Sequence, residues 1–249
     1  GALSGHASLG STYGAISYTD DARAPLLRYD HLQLDAELAP QRQQIDLHAA
    51  LDHGGRIDGQ LGITGAQQAL SGQVELHLGN LAFVELLSHE LANVRGRADA
   101  RVQFAGSLAQ PRVIGQAELG DFAAEIPAAG LTLAQGQLHV TTLDGQQLQI
   151  RGSVHSGKGS VAVDGSAGLG GTRPTRLTVK GSEFTAVDIP AASVVLSPDL
   201  VVQQGAAGID ITGAVSLDRA RVNVDKLPGA GASAASPDVV VVDAKQPQD

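Results

Sequence analysis

Strict alternation of apolar and polar residues runs through most of this chain and constrains its fold more than any other feature. In residues 31–38 every second residue is Leu or Ala, and residues 45–51 repeat the pattern. The same alternation recurs in residues 57–63, 74–78, 98–104, 137–141, 147–154, 161–163, 177–179, 209–217 and 220–224. Because successive side chains of a strand point to opposite faces, each segment is predicted to be a strand with one apolar face and one wet face. About fifteen such strands fit the chain, so the predicted fold class is all-β.

Glycine recurs inside these predicted strands, in a loose motif of an apolar residue, Gly and then alternating residues. The glycines of this motif are Gly59, Gly72, Gly115, Gly136, Gly152 and Gly213. Glycine inside a strand often marks a bulge or a bend, so the strands are predicted to bend at similar places. The uneven spacing of the glycines argues against a repeat of fixed period. We therefore expect one elongated, curved sheet that is folded along its length and forms an open groove.

One segment departs from the alternation. After Asn80, a candidate N-cap, apolar residues follow at helical spacing, which predicts one short amphipathic helix over about 81–93. It is expected to plug or cap the apolar face of the sheet. Residues 1–225 are then one continuous sheet, and residues 226–238, rich in Gly, Ala, Ser and Pro, are a linker. Residues 239–249 are predicted to hold a last strand and a frayed tail.

Composition narrows the possible functions. The chain has three Tyr, four Phe and no Trp, although hydrophobic residues make up 43% of it. A thick core anchored by aromatic side chains is therefore not expected. The net charge is −9 and the basic residues are scattered, which argues against nucleic acid as a partner. The chain has no Cys, which excludes disulfides, and it begins with Gly1 and has no Met. We expect it to be a piece of a longer protein.

Motifs that carry catalysis are missing from the sequence. The run GSVHSGKG at 152–159 resembles a P-loop, but Gly159 stands where the Ser or Thr should follow Lys158, and strands flank it instead of a helix. It is predicted to be a hairpin turn. The sequence has no HExxH or GxSxG motif, and the histidines of 48–53 are most simply a strand end and a turn. The sequence therefore predicts no enzyme, no cofactor and no metal site.

The apolar stripe has two possible roles, the core of a closed domain or the lining of an open groove. The scarcity of aromatic residues favours the groove, because an aliphatic wall lacks the anchors that fix one ligand in one orientation. The predicted groove lining is Leu32, Leu34, Ile45, Leu47, Ile57, Leu61, Val74, Leu76, Val102, Phe104, Leu138, Val140, Leu148, Ile150, Val161, Val163, Leu177, Val179, Ile209, Ile211, Val215 and Leu217.

The C-terminal part of the sequence resembles the C-terminal region of the TamB family. The marks are SPDL at 197–200, the predicted strand ITGAVSLDRARV at 211–222 and the stretch from LP to SPDVVVVD at 227–243. The unit GSLAQPRVIGQAEL at 106–119 has a form that recurs in this family. The resemblance is specific over about 100–243 and only compositional over 1–95.

The resemblance implies a fold and a function. Members of the TamB family and of the wider AsmA-like group have a long, lengthwise-folded sheet, called a β-taco, with an apolar interior. The resemblance implies a periplasmic segment of a bridge between the two membranes of a diderm bacterium, in a parent chain anchored in the inner membrane. It implies phospholipid acyl chains as the ligand, a TamA-like outer-membrane barrel protein as a partner, and no catalytic residues.

Two alternatives stay open from the sequence. Open sheet edges can accept an added strand, so the chain could instead be a scaffold for unfolded outer-membrane β-barrel proteins or autotransporters. The other alternative is a structural β-solenoid with a closed, dry core and no ligand.

Overall fold

The computed structural model describes residues 4–17, 27–169, 173–205, 208–223 and 226. Within these residues the protein consists of fifteen strands and three short 3-10 helices. The strands are β1 (Gly5–Ser11), β2 (Gly14–Ile16), β3 (Leu27–Ala39), β4 (Arg42–Leu51), β5 (Arg56–Thr64), β6 (Ala69–Leu78), β7 (Ala92–Gly106), β8 (Pro111–Ile126), β9 (Leu131–Thr142), β10 (Gln147–Ser156), β11 (Gly159–Gly168), β12 (Thr175–Ser182), β13 (Phe184–Ile189), β14 (Ala192–Gly205) and β15 (Gly208–Val222). The 3-10 helices are Asp52–Gly54, Ala82–Leu86 and Pro127–Ala129.

All fifteen strands belong to one open antiparallel sheet, in which each strand pairs with strands close to it in sequence. Two short strands, β1 and β2, follow each other along one side of β3, and β12 and β13 do the same along β14. The sheet is therefore an up-and-down meander of thirteen rows, which at about 4.8 Å per row extends roughly 60 Å. This confirms the predicted open all-β sheet. Its antiparallel order differs from the parallel coils of a β-helix.

The strands bend where their pairing register shifts. Such shifts occur between β7 and β8, between β8 and β9, and between β9 and β10. Asn93, Asp121 and Gln135 lie beside them with φ of 51–53°, and Glu183, with φ of 46°, separates β12 from β13. A residue of left-handed conformation in a bulge bends its strand and increases the local twist. The bends of neighbouring strands thus lie together, largely at residues other than glycine.

The glycines that the sequence singled out divide into two groups. Gly72, Gly115 and Gly213 have φ of 159°, 153° and 126°, whereas Gly59, Gly136 and Gly152 have no positive φ. At Gly213 an added Cβ would lie 2.1 Å from the Asp199 carbonyl oxygen, so only glycine fits there. Glycine therefore permits close strand approach at some of these positions, and it marks the line of bends less consistently than expected.

The predicted helix over 81–93 is much shorter in the structure. Its helical part is the five-residue Ala82–Leu86, and β7 already begins at Ala92. The Asn80 Oδ1 accepts a hydrogen bond from the Ala82 N–H at 2.9 Å, in agreement with its capping role. The helix stops early because Val94 joins β7 and is buried there, where an α-helical continuation would remove the chain from the sheet.

The best-buried side chains form one small cluster on a single face of the sheet. Leu78, Leu81, Val94 and Ala124 are 2–6% exposed and lie together. Leu81 comes from the connection between β6 and β7, and the other three come from β6, β7 and β8. Since most other apolar residues are only partly buried, the sheet has no thick core.

A turn of the chain packs across onto β13. Gly130, with φ of 64°, follows the Pro127–Ala129 helix, and an added Cβ at Gly130 would lie 1.9 Å from the Asp188 carbonyl oxygen. At the tip of the β10–β11 hairpin, an added Cβ at Gly157 would lie 2.1 Å from the Thr185 Oγ1. The start of β9 and this hairpin tip therefore both lie against β13.

The two ends of the sheet are exposed. Every residue of β15 is exposed, and within the part of the chain that the structure describes β15 pairs only with β14. At the other end, Leu9 of β1 is exposed as well. The described residues from 4 to 223 form this single sheet. Apart from Lys226, the predicted linker at 226–238 and the predicted last strand and tail at 239–249 lie outside the described residues.

Candidate functional site

The strand register assembles a continuous apolar row across the sheet, here called the central row. Residues opposite each other on neighbouring antiparallel strands lie on the same face, so the pairs can be followed from strand to strand. The row runs through Leu32, Ala49, Ile57, Leu76, Ala100, Ala117, Val140, Ile150, Gly165, Leu177, Val202 and Ile211. It contains no polar side chain over twelve successive strands.

Further rows flank the central row on the same face, here called the apolar face. The predicted lining residues of the flanking rows are Leu34, Ile45, Leu47, Leu61, Val74, Val102, Phe104, Leu138, Leu148, Val161, Val163, Val179, Ile209, Val215 and Leu217. The register thus places all the predicted lining residues, those of the central row and those of the flanking rows, on one face. Whether this face carries a lipid stays a prediction.

The apolar face is least covered at β15. Ile209, Ile211 and Leu217 are 61–68% exposed, and Val215 is 52% exposed. Elsewhere on the face most side chains are half-buried, because they contact their neighbours in the same sheet and other segments cover only part of the face. An apolar surface of this extent is typical of a site that binds a partner or an apolar ligand.

A shallow apolar pocket lies where β8 to β11 meet. It has a volume of about 230 Å³. The side chains that line it are almost all aliphatic or aromatic, and they include Leu119, Phe122, Leu133, Leu138, Val154 and Val163. Leu119, Phe122, Leu133 and Val154 were missing from the predicted lining. Leu119 continues the alternation of its strand and could have been found, whereas Phe122 and Leu133 lie beyond the bulges, where the alternation changes phase.

The opposite face of the sheet carries paired charges. Arg151 contacts Asp164 at 3.0 Å, His139 contacts Glu118 at 3.1 Å, and an Arg97–Asp121 pair lies beside them. A depression of about 520 Å³ lies among these residues and is larger than the apolar pocket. Because these pairs are solvent-exposed, they contribute little to stability.

One carboxyl at the edge of the sheet has a perturbed pKa. In the connection between β9 and β10, the Asp144 Oδ1 accepts a hydrogen bond from the Gln146 N–H at 2.9 Å. This hydrogen bond, helped by Arg173 at 2.8 Å, lowers the pKa of Asp144 below its ordinary value of 3.8. The Asp144 carboxylate therefore holds the end of this hairpin in place.

The P-loop-like run at 152–159 is part of a hairpin, as the sequence predicted. Ser156 pairs with Gly159, and the chain returns directly as β11. Among the described residues, no group of three or more His, Asp or Glu side chains could hold a metal ion. No helix in the described part of the chain has the length and apolar character that a membrane span requires.

Two family models match the chain. One, described as "TamB, N-terminal domain", matches residues 1–119, and the other, described as "TamB C-terminal domain", matches residues 146–249. The chain belongs to the TamB family. This confirms the resemblance seen in the C-terminal sequence and extends it into residues 1–95, where the sequence alone had indicated only a similar composition.

A curated TamB-family protein gives the scale of the match. The "Translocation and assembly module subunit TamB" of Haemophilus influenzae (strain ATCC 51907 / DSM 11121 / KW20 / Rd) is 20% identical over 240 residues. The match covers 94% of this chain and 18% of that protein, so this chain spans about a fifth of its length. No solved structure matches the chain.

Proposed function

We propose that this chain is a periplasmic segment of a TamB-like bridge that carries phospholipid along its apolar face. The single observation that carries the proposal is the central row, which crosses twelve strands without a polar side chain. The acyl chains would lie in the groove along this row, while the headgroup would stay in water at the mouth. The role is one of binding and passage, without catalysis.

The energetics of an aliphatic wall suit passage better than capture. Each buried methylene contributes about 0.8 kcal/mol, so an acyl chain on this face is held by on the order of 10 kcal/mol. Because the side chains of the central row are chemically similar, this free energy changes little as the acyl chain moves from one strand to the next. A single polar anchor would make one position much more stable than the others and would stop the lipid there.

The family supports a proposal for the setting of this activity. The Haemophilus relative is named as a subunit of a translocation and assembly module. We propose that the segment belongs to a parent chain anchored in the inner membrane of a diderm bacterium, that the parent works with a TamA-like barrel protein, and that it serves outer-membrane biogenesis.

The test is a charge placed in the groove at Ile150. Ile150 lies opposite Val140 and Gly165, and Gly165 has no side chain that could cover the new group. In Ile150→Arg the guanidinium would lie across the acyl path, although its long stem could reach the rim and spare the fold. The matched control is Gln149→Arg, which adds the same side chain one residue away on the polar face.

We expect both variants to fold and only Ile150→Arg to lose transfer. Transfer is measured as movement of a fluorescent phosphatidylethanolamine between vesicles, and folding is measured by circular dichroism. Native mass spectrometry after gentle purification should detect phospholipid bound to the unsubstituted chain and to Gln149→Arg. Equal transfer by the two folded variants would refute the conduit, and an unfolded Ile150→Arg would favour a closed core.

A second candidate function rests on β15. This strand is exposed along its whole length and, among the described residues, pairs along only one edge, so the other edge could accept a strand from an unfolded β-barrel polypeptide. A photoreactive residue at Ala214 of β15 would then crosslink to such a polypeptide, whereas one at Ile150 would crosslink to lipid. Crosslinking at Ala214 alone would favour the scaffold.

A further inference from the structure

The connection between β6 and β7 folds back over the apolar face. Residues 79–91, here called the connecting segment, contribute Leu81 to the buried cluster, where it is 4% exposed. Phe83, Val84 and Leu91 of the same segment pack against that cluster from above. On the sheet side, the residues packed there include Ile57 and Leu76 of the central row. The connecting segment therefore covers the central row at β5 and β6.

Four backbone hydrogen bonds of the connecting segment are local: Val84 donates to the Leu81 carbonyl, Leu87 and Ser88 donate to the Val84 carbonyl, and Leu91 donates to the Ser88 carbonyl. The Asn80 Oδ1 accepts the Ala82 N–H, and the Glu85 Oε1 accepts the Val94 N–H at 2.7 Å. Its regular structure is a single 3-10 turn, and Leu87 at its tip is 78% exposed. The strands beneath it, by contrast, are held by ladders on both sides. Because these backbone hydrogen bonds are local, whereas each strand is paired along its length, we expect the connecting segment to open more readily than the strands beneath it.

We propose that the connecting segment is a gate, which occupies an acyl-chain site on the apolar face and must be displaced for lipid to pass. This proposal rests on the proposed lipid transport. When the gate opens, Phe83, Val84 and Leu91 leave the sheet, and an acyl chain contacts the sheet residues that they had covered. Because one apolar occupant replaces another, the exchange is close to balanced in transfer free energy. An empty groove favours the closed gate, and an arriving acyl chain opens it.

The ends of the connecting segment suit such a movement. Gly79 is its first residue, and Asn93, two residues beyond its end, has a φ of 52° in the left-handed region. The Glu85–Val94 hydrogen bond spans the segment near its far end and acts as the latch. A carboxylate that accepts a backbone N–H makes one of the stronger kinds of hydrogen bond, so its removal should shift the gate towards the open state.

The test compares Glu85→Ala with Glu90→Ala in this chain. Both variants remove one carboxylate from the connecting segment, but only Glu85→Ala removes the acceptor of the Val94 N–H. Loss of that hydrogen bond should raise the hydrogen-exchange rate of the amides at 81–91 and 94 by roughly ten-fold to a hundred-fold. Transfer of a fluorescent phosphatidylethanolamine between phosphatidylglycerol vesicles should rise several-fold in Glu85→Ala and stay unchanged in Glu90→Ala.

A second measurement follows the gate directly. The chain has no Cys, so Leu87→Cys and Gln116→Cys give two unique sites for spin labels. The distance between the labels should lengthen when phosphatidylethanolamine-containing vesicles are added. In the Glu85→Ala background, the distribution of distances should be broader even without lipid.

The outcomes separate the gate from the conduit. Faster exchange in Glu85→Ala with unchanged transfer would overturn the gate and leave the conduit standing. Unchanged exchange and label distances in both variants would make the segment a fixed part of the core and would also overturn the gate. If the unsubstituted chain binds no lipid in native mass spectrometry, the conduit proposal fails, and the gate proposal fails with it.

Discussion

The contact between Gly130 and β13 offers a sharp test of how the sheet folds back on itself. Gly130 has a φ of 64°, and an added Cβ would lie 1.9 Å from the Asp188 carbonyl oxygen. Gly130→Ala therefore introduces two problems, a left-handed alanine and a collision with the backbone of another strand. The variant Gly65→Ala, in the β5–β6 turn, tests the first problem without the second, because Gly65 has a φ of 71° and an added Cβ would meet nothing within 4 Å.

The magnitudes follow from these two geometries. A left-handed conformation costs a residue other than glycine about 1–2 kcal/mol, which is the whole effect expected for Gly65→Ala. Overpacking at Gly130 adds about 1–3 kcal/mol, since the turn and β13 must move apart to admit the methyl group. We therefore expect Gly130→Ala to lower the free energy of unfolding by about 2–5 kcal/mol, and Gly65→Ala by only about 1–2 kcal/mol.

Urea unfolding followed by circular dichroism measures both losses as shifts of the midpoint at constant slope. Hydrogen exchange at residues 184–189 should increase in Gly130→Ala and not in Gly65→Ala, because only the first variant pushes β13 away. Equal destabilisation of the two variants, with unchanged exchange in β13, would mean that the start of β9 does not pack on β13 in solution.

Three further predictions concern the core, acid stability and the exposed end. Leu81→Ala should lower the free energy of unfolding in urea by about 2–5 kcal/mol, whereas Leu87→Ala should change it by less than about 0.5 kcal/mol. Since the pKa of Asp144 is lowered by a backbone N–H and a nearby arginine, its stabilisation is present above pH 3.8 and is lost as the pH falls through the lowered value. An NMR titration should give a midpoint below 3.8 for this carboxyl, and Asp144→Asn should lose less stability on acidification than the parent. Ile211→Lys should reduce self-association in sedimentation velocity more than Thr212→Lys, because only Ile211 extends the apolar face at the open edge.

The alternation of residues was sufficient to predict the class of fold and the set of residues that share a face. Leu32 and Ile211 lie at opposite ends of the sheet, yet both were predicted from local pattern alone, because a period of two fixes the face of each residue within its strand. The pairing of strand with strand then follows from short connections. The TamB family was likewise predictable from residues 197–243.

The bends and the connecting segment were harder to predict. Asp121 and Gln135 are ordinary residues in sequence, and only their neighbours across the sheet require them to adopt a left-handed conformation. The apolar spacing from Leu81 to Val94 fits an α-helix as well as it fits a folded loop. Burial of both ends in one cluster decides between the two, and burial is a tertiary effect that local periodicity cannot specify.

The meander order of the strands bears on how such a protein can grow. Since each strand pairs with close sequence neighbours, a hairpin can be duplicated or lost without rewiring the rest, and each one changes the span by about 10 Å. The number of hairpins then sets the length of the sheet. The same locality lets newly synthesised chain join the growing edge of the sheet, so that assembly need not wait for distant segments to meet.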